Sequence, residues 1–408
     1  MPDRRLPSLG ERVKELRHEQ GLDQRALANI VKRYVSWISQ VERGELTVSD
    51  VGMLQRLAVA LSVPSRELVE LVLGEGAGDL ERQRPYVEVL RLALAGHPAP
   101  QAALGMPQPV APAATIDRMG SQISTCWDLV HASRFDGLGP TLASLIPDLE
   151  GASRRVEGDD RLAVFALLAD SYQIAAAMLV KVGDIGAAWI AADRAIGAGE
   201  RCGDQSLIMA GQLRMGHTFV NSSEDELALH VLRQAVGLAK ALPGDAGPGL
   251  VSLTGSCALL LAVLEARRGY GEEAHRHLRV ASGLARRLGV GRNDYGTEFG
   301  PTNVALHQVA VEVELGNAAE ALRLAGKVRA SGLSAERQAR FLVDVARAHT
   351  QRRQVPQAIA ALTEAEAIAP AEVADSRLVR EILDDLEHLV HGRSVPGLRP
   401  LRRKTTHK

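Results

Sequence analysis

Aromatic side chains are scarce in this chain of 408 residues, at 3% of the total. No run alternates apolar with polar residues as a half-buried strand would, so a sheet protein is excluded and an all-helical one is expected. Cysteine is rarer still: Cys126, Cys202 and Cys257 lie far apart in no ligand spacing. That excludes a disulfide framework and a cysteine metal site, and it fits buried free thiols in a reducing compartment. Charge of one sign is also missing, since the formal net charge is −1. A uniformly basic coat is therefore excluded, and any surface for a polyanion must be local. The opening stretch, MPDRRLPSLGERVKELR, has no apolar core of a leader, and no segment is read as long enough to span a membrane. A soluble cytoplasmic protein with no membrane partner is expected. No nucleophile beside a base, no cluster of metal ligands and no phosphate loop is present, so no catalytic residue, no metal and no cofactor are assigned.

What is abundant is alanine, leucine and arginine, spread over a length that predicts two or three domains. Residues 24–44, QRALANIVKRYVSWISQVERG, form two short helical patterns around a break at Lys32 to Tyr34. Leu27, Ala28, Ile38 and Val41 recur at the spacings that let two helices pack crosswise, with Ala28 at the crossing. This is a helix-turn-helix pattern, whose second helix, residues 35–43, is the one that would enter a groove. Ser8 caps a preceding helix with Leu9, Val13 and Leu16 on one stripe, ended by Gly21. Asp23 caps the helix of Leu27. Asp50 caps a fourth helix with Val51, Leu54, Leu57, Ala58 and Leu61, and residues 64–71 read as a fifth.

Together, LGERVKELRHEQGLDQRALA, SWISQVERG and LQRLAVALSVPSREL resemble the XRE family of phage Cro and repressor-type DNA-binding domains, across about 65 residues. The resemblance implies a five-helix, lambda-repressor-like fold over residues 1–75. It implies that Gln24 and Arg25 meet phosphates, and that Val35, Ser36, Ser39 and Gln40 face base edges. Gln40 would pair with adenine through both amide atoms, and Val35 would touch a thymine methyl. Arg43 would meet phosphate or Glu42, while Trp37 would pack partly inside. The chain departs from the family at the turn, where Lys32, Arg33 and Tyr34 replace a glycine, an apolar residue and a small hydroxyl. Tyr34 cannot cap a helix as serine does, although Ser36 can if the helix begins later. Lys32 and Arg33 add positive charge where a phosphate backbone would run.

Residues 76–114 read as a linker. GEGAG at 74–78 cannot continue a helix and acts as a hinge; residues 86–94 can form one helix; and the alanine and proline tract ending at Ala114 is an extended tether. Residues 115–392 then repeat themselves. Gly183, Ala188 and Ala195 return as Gly269, Ala274 and Ala281, and more loosely as Gly316, Ala321 and Val328. Met215, Gly216, Phe219, Ala228 and Ala235 show the frame again, as do Ala346, Ala358, Ala365 and Pro370. These resemble tetratricopeptide repeats with lengthened loops, implying an α-solenoid of antiparallel helix pairs. Residues 375–391 would cap it, and the basic tail at 393–408 would be disordered.

The segment GRNDYGTEFGPTNVALHQ, residues 291–308, is unusually polar and aromatic for a connection between repeats. Asn293, Asp294, Tyr295, Phe299, Asn303 and His307 can there bond and stack on a peptide or small-molecule effector; equally, they can stitch a long loop to its neighbours. His275 and His277 read as solvent-facing rather than metal-binding. The resemblance points to a regulator that binds double-stranded DNA at a palindromic operator as a homodimer and senses an effector or partner protein. The alternative is a protein-interaction adaptor that uses the repeat groove, with the first domain as a docking module. The company of actinobacterial regulators is suggested by composition and resemblance only.

Overall fold

A computed structural model describes residues 8–31, 33, 35–44, 48, 51–63, 68, 85–95, 113–132, 134–237, 246–374, 376–390 and 395–406. All regular structure in these residues is helical. The chain divides into two compact units, Met1–Pro85 and Tyr86–Lys408.

The first unit contains α1 (Leu9–Glu19), α2 (Gln24–Ile30), α3 (Val35–Glu42) and α4 (Val51–Ala60). Ser8 opens α1 with a capping box: its hydroxyl accepts from Glu11 N at 3.3 Å, and the Glu11 carboxylate accepts from Ser8 N at 2.9 Å. Asp23 caps α2 through Ala26 N at 2.6 Å. Leu16, Leu27, Ala28, Ile38, Val41 and Leu57 are buried in one core. Gly10 sits where α1 meets the end of α3, and a Cβ there would overlap the Val41 carbonyl. Because α3 begins at Val35, Ser36 is its second residue and not its cap. Of the expected fifth helix only Leu68, helical and buried, lies within the described residues. The hinge at 74–78, most of the tether and turn residues Lys32 and Tyr34 lie outside them.

The second unit begins with α5 (Pro85–Ala95) and continues as seven antiparallel pairs among the described residues. They are α6 and α7 (Ala113–His131, Phe135–Ser153), α8 and α9 (Gly158–Val182, Ile185–Cys202), α10 and α11 (Gln205–Asn221, Asp225–Gly237), and α12 and α13 (Pro248–Arg267, Gly271–Leu288). The rest are α14 and α15 (Pro301–Glu314, Ala318–Ala325), α16 and α17 (Ala335–Gln351, Val355–Ile368), and, after the short α18 (Pro370–Ala374), α19 and α20 (Arg377–Val390, Leu398–Thr406). Each first helix packs on its partner and on the first helix of the next pair, which is the order of a tetratricopeptide-like α-solenoid.

The turn between partners places one residue in the left-handed region: Gly183, Ser223, Gly269, Gly316 and Arg353, at φ between 56° and 85°. Five residues further on stand Ala188, Ala228, Ala274, Ala321 and Ala358, all with no exposed surface. A methyl is the largest group that lets the two backbones approach there, since a bigger one would force off-rotamer packing. Ala195, Ala235, Ala281 and Ala365, seven beyond, are equally buried, whereas Val328 lies past the end of the short α15 and is only partly covered.

Three expectations are corrected. Helix α5, read as part of a linker, is docked on the repeats: Val87, Leu90 and Leu94 enter their core, Arg91 pairs with Asp184 at 2.5 Å, and Arg194 bonds the Leu94 carbonyl at 2.7 Å. The tail read as disordered holds α20, whose Leu398 and Leu401 are buried and whose Arg402 and Lys404 pair with Asp384 and Glu366. Its charges had masked an apolar stripe of two leucines. Two first helices, α8 and α12, are long and apolar enough to cross a membrane, contrary to the expectation that no segment is. Their apolar windows are 67% and 83% buried, because such a helix packs against its partner and both neighbouring pairs.

Replacing Leu398 and Leu401 together by Ala should lower stability by at least about 2 kcal/mol per site and reduce the thermal midpoint followed by circular dichroism. A parent-like melt would show that α20 contributes nothing to the core.

Candidate nucleic-acid interface

Helix α3 is positioned by a buried polar hub. Glu42, at its last turn, accepts from Arg17 Nη2 on α1 at 3.0 Å and from Gln24 Nε2 on α2 at 2.8 Å. Arg17 also bonds the Leu22 carbonyl at 2.8 Å, so one ion pair joins three helices and the loop between two of them. Burial pushes the Glu42 carboxyl up, but the bonds from Arg17 and Gln24 outweigh it and leave the group below its usual range. The hydrogen bond to Glu42 raises Arg17 despite its own desolvation.

With Ile38 and Val41 clamped inward, the opposite edge of α3 is left outward. Val35 is 39% exposed, and Ser39 and Gln40 are half-buried. The Gln40 amide makes no hydrogen bond among the described residues, whereas the Ser39 hydroxyl accepts from Arg43. Arg25 and Arg33 are exposed, and Arg33 lies over the Trp37 ring at 5.9 Å, which keeps that ring partly covered. The Ser36 side chain, Lys32 and Tyr34 are outside the description. Gln24, assigned to phosphate, instead gives its amide to Glu42. The sequence carried a signal for the hub that the apolar stripe hid: an arginine, Arg17, beside Leu16 on the buried face of α1.

Residues 8–72 match a family model described as a helix-turn-helix domain. The first unit is a helix-turn-helix domain. No curated protein matches the chain. Among solved structures, a crystal structure of Bacillus thuringiensis PlcR in complex with the peptide PapR7 and DNA is similar at 16% identity, covering 69% of this chain and 96% of that one, with a TM-score of 0.29.

The six residues assigned to an effector are brought together, but largely as internal staples outside the helix-turn-helix domain. Asn293 Oδ1 accepts from Glu298 N at 2.9 Å, and Asp294 pairs with Arg292 at 2.7 Å. Asn303, 2% exposed, donates to the carbonyls of Thr297 and Glu298, each at 3.2 Å. His307 donates from Nδ1 to the Asn303 carbonyl at 2.9 Å, and burial, with Arg337 nearby, pushes it down to about 4. Phe299 is corrected outright: it is 1% exposed and packed against Gly255, so its ring offers no stacking surface. Tyr295 keeps an open side, lining a cleft of about 490 Å³ with Asp204, Ser206 and Gly249. His275 and His277 are only partly exposed; His275 Nε2 bonds Glu312 at 2.8 Å. Cys126 and Cys257 are buried, and burial raises their thiols to about 11 and about 12; Cys202 is half-buried and bonds the Gly199 carbonyl.

Glu42→Gln should leave Arg17 buried without a charge partner, at roughly 3 kcal/mol, and speed hydrogen exchange of the α3 amides about a hundredfold. Because the folded Glu42 pKa is depressed, its contribution is complete above the unfolded carboxylate range and is lost as pH falls through the folded value. The protection of the α3 amides, taken relative to their intrinsic exchange rate at each pH, should therefore fall on acidification in that window in the parent and should not in the variant.

Proposed function

We propose that this protein is a sequence-specific, DNA-binding transcriptional regulator of the cytoplasm, working as a homodimer on a palindromic operator. The observation that carries the reading is α3 itself, fixed by Glu42 on one side and presenting Val35, Ser39 and the unengaged Gln40 on the other. Arg25, Arg33 and Arg43 are exposed beside that edge and supply local positive charge in a chain of net charge −1. Arginines so placed serve phosphates, and a glutamine amide serves an adenine edge. One recognition helix reads few base pairs, so useful specificity requires two, about 34 Å apart on one face of the duplex. The solenoid is the part that would join two copies and take up an effector. An effector then acts through unequal affinity for two arrangements of the heads.

Fluorescence anisotropy with DNA from upstream of the protein's own gene, against random duplex, tests this at two salt concentrations. Gln40→Ala should erode the preference about tenfold, while Arg25→Ala should weaken both duplexes alike and flatten the salt dependence. Equal binding of the two duplexes by the parent would overturn the reading. Light scattering should give twice the chain mass.

A further inference from the structure

The connection from α13 to α14, residues 289–300, is the longest of the links between successive pairs, and it lies on the wall built by the first helices. It touches that wall from end to end. Gly296 covers the ring of Trp127 on α6, and the Tyr295 carbonyl accepts from Arg214 Nη2 on α10 at 3.2 Å. Thr297 Oγ1 lies 3.1 Å from Ser252 Oγ on α12. At the far end the Glu298 carboxylate accepts from Ser334 N at 2.7 Å and Ser334 Oγ at 2.6 Å, at the cap of α16, with Arg337 Nε 3.7 Å away. The segment holds this course with Tyr295 and Glu298 at φ 53° and 48°, a left-handed backbone that side chains resist and that its surroundings must enforce.

The wall under it is not satisfied by it. Gln173 on α8 has no exposed surface and no partner at either amide atom. Arg214 Nε and His131 Nε2 are likewise buried without a hydrogen-bond partner, and so is Arg337 Nε, whose ion pair with Glu298 at 3.7 Å is too long to be one. Arg214 has no carboxylate within ion-pair distance among the described residues; it rests 5.2 Å over Trp127 and holds one backbone carbonyl. Two carboxylates reach it through their fields, Glu336 before Asp170; Glu336 is already paired with Lys181, and Asp170 is itself pushed up to about 6 by burial. Arg337 similarly reaches the Thr297 carbonyl at a long 3.5 Å. A guanidinium is a fork of donors suited to a carboxylate; Arg214 spends its fork on a neutral carbonyl oxygen, and Arg337 reaches the Glu298 carboxylate and the Thr297 carbonyl only at long range.

We propose that this wall is the binding site of an organic carboxylate seated on Arg214 and Arg337, and that residues 293–299 occupy it in the ligand's absence, presenting Glu298 and two backbone carbonyls to the same donors. The proposal rests on the reading of the solenoid as the sensing part. A ligand carboxylate gives Arg214 the paired acceptor it lacks and takes both guanidiniums from the Tyr295 and Thr297 carbonyls. The strained segment then leaves Trp127.

The test uses the full chain with Trp37 and Trp189 replaced by Phe, so that Trp127 alone reports, titrated with acetate, succinate and benzoate against acetamide, succinamide and benzamide. At least one carboxylate, and not its amide, should shift the Trp127 emission and speed hydrogen exchange across residues 293–299. Arg214→Gln should abolish that response. Glu298→Gln, which removes the internal competitor's charge, should lower the concentration for half response about tenfold and decides the matter if Arg214→Gln does not fold. Carboxylates and amides acting alike, no response to any carboxylate, or an unmoved midpoint in Glu298→Gln would each overturn the proposal. None of these readouts involves DNA, so a failure here leaves the operator reading standing, and a failure of operator binding leaves this site standing.

Discussion

Backbones come close in this protein only where side chains are nearly absent, and everything else follows from where those places fall. Gly10 and Ala28 set the crossings that bring α1 and α2 against α3. Ala188, Ala228, Ala274, Ala321 and Ala358 do the same for successive pairs of the solenoid. Helices packed at such points meet at the short end of the usual range of interaxial distance, and larger side chains fill the splayed ends. This explains how a chain so poor in aromatic residues builds cores at all. It uses many small contacts in place of a few large rings.

Close packing also settles what polar groups can do. In the helix-turn-helix domain the buried carboxylate of Glu42 is fully engaged, by Arg17 and Gln24, and it orients a helix whose outer edge stays free. On the solenoid's inner wall the opposite holds: Gln173 is buried, and Arg214 and Arg337 are half-buried with buried Nε atoms, all with hydrogen-bonding capacity left over. A satisfied network rigidifies, whereas an incomplete one is a standing cost unless something completes it. The two units thus divide into one part built to present a fixed surface and another built with an internal vacancy in its bonding.

Much of this was legible in the residues. Ser8, Asp23 and Gly21 marked the helix ends of the first unit, and the frame of Gly183, Ala188 and Ala195 marked the pairs. The frame was blurred where the turn position is Ser223 or Arg353, since a non-glycine residue gives no sign that it must adopt positive φ. Helix α5 was foreseen but left in a linker, and α20 was missed, for another reason: their apolar faces are narrow and make sense only against a partner distant in sequence. The loop of Asn293 to Phe299 looked like a binding surface because polar and aromatic residues are concentrated there. Composition alone cannot separate side chains that bond outward from those that bond inward, and Phe299 and Asn303 bond or pack inward. The inner-wall arginines were missed because an ionic residue in a helix pattern is ordinarily read as facing water.

Lys181 carries a consequence for how the solenoid behaves as a whole. At the end of α8 it pairs with Glu336 on α16 at 2.9 Å and with Glu372 on α18 at 2.5 Å. Burial alone would lower Lys181; the two carboxylates raise it, and Lys181 in turn, against desolvation, holds Glu336 down to about 2. A repeat array in which each unit touches only its neighbours melts like a one-dimensional zipper, from whichever end is weaker. A contact that skips from the second pair to the sixth closes the zipper into a ring, so that fraying at one end raises the free energy of the other, and the array should open as one cooperative body.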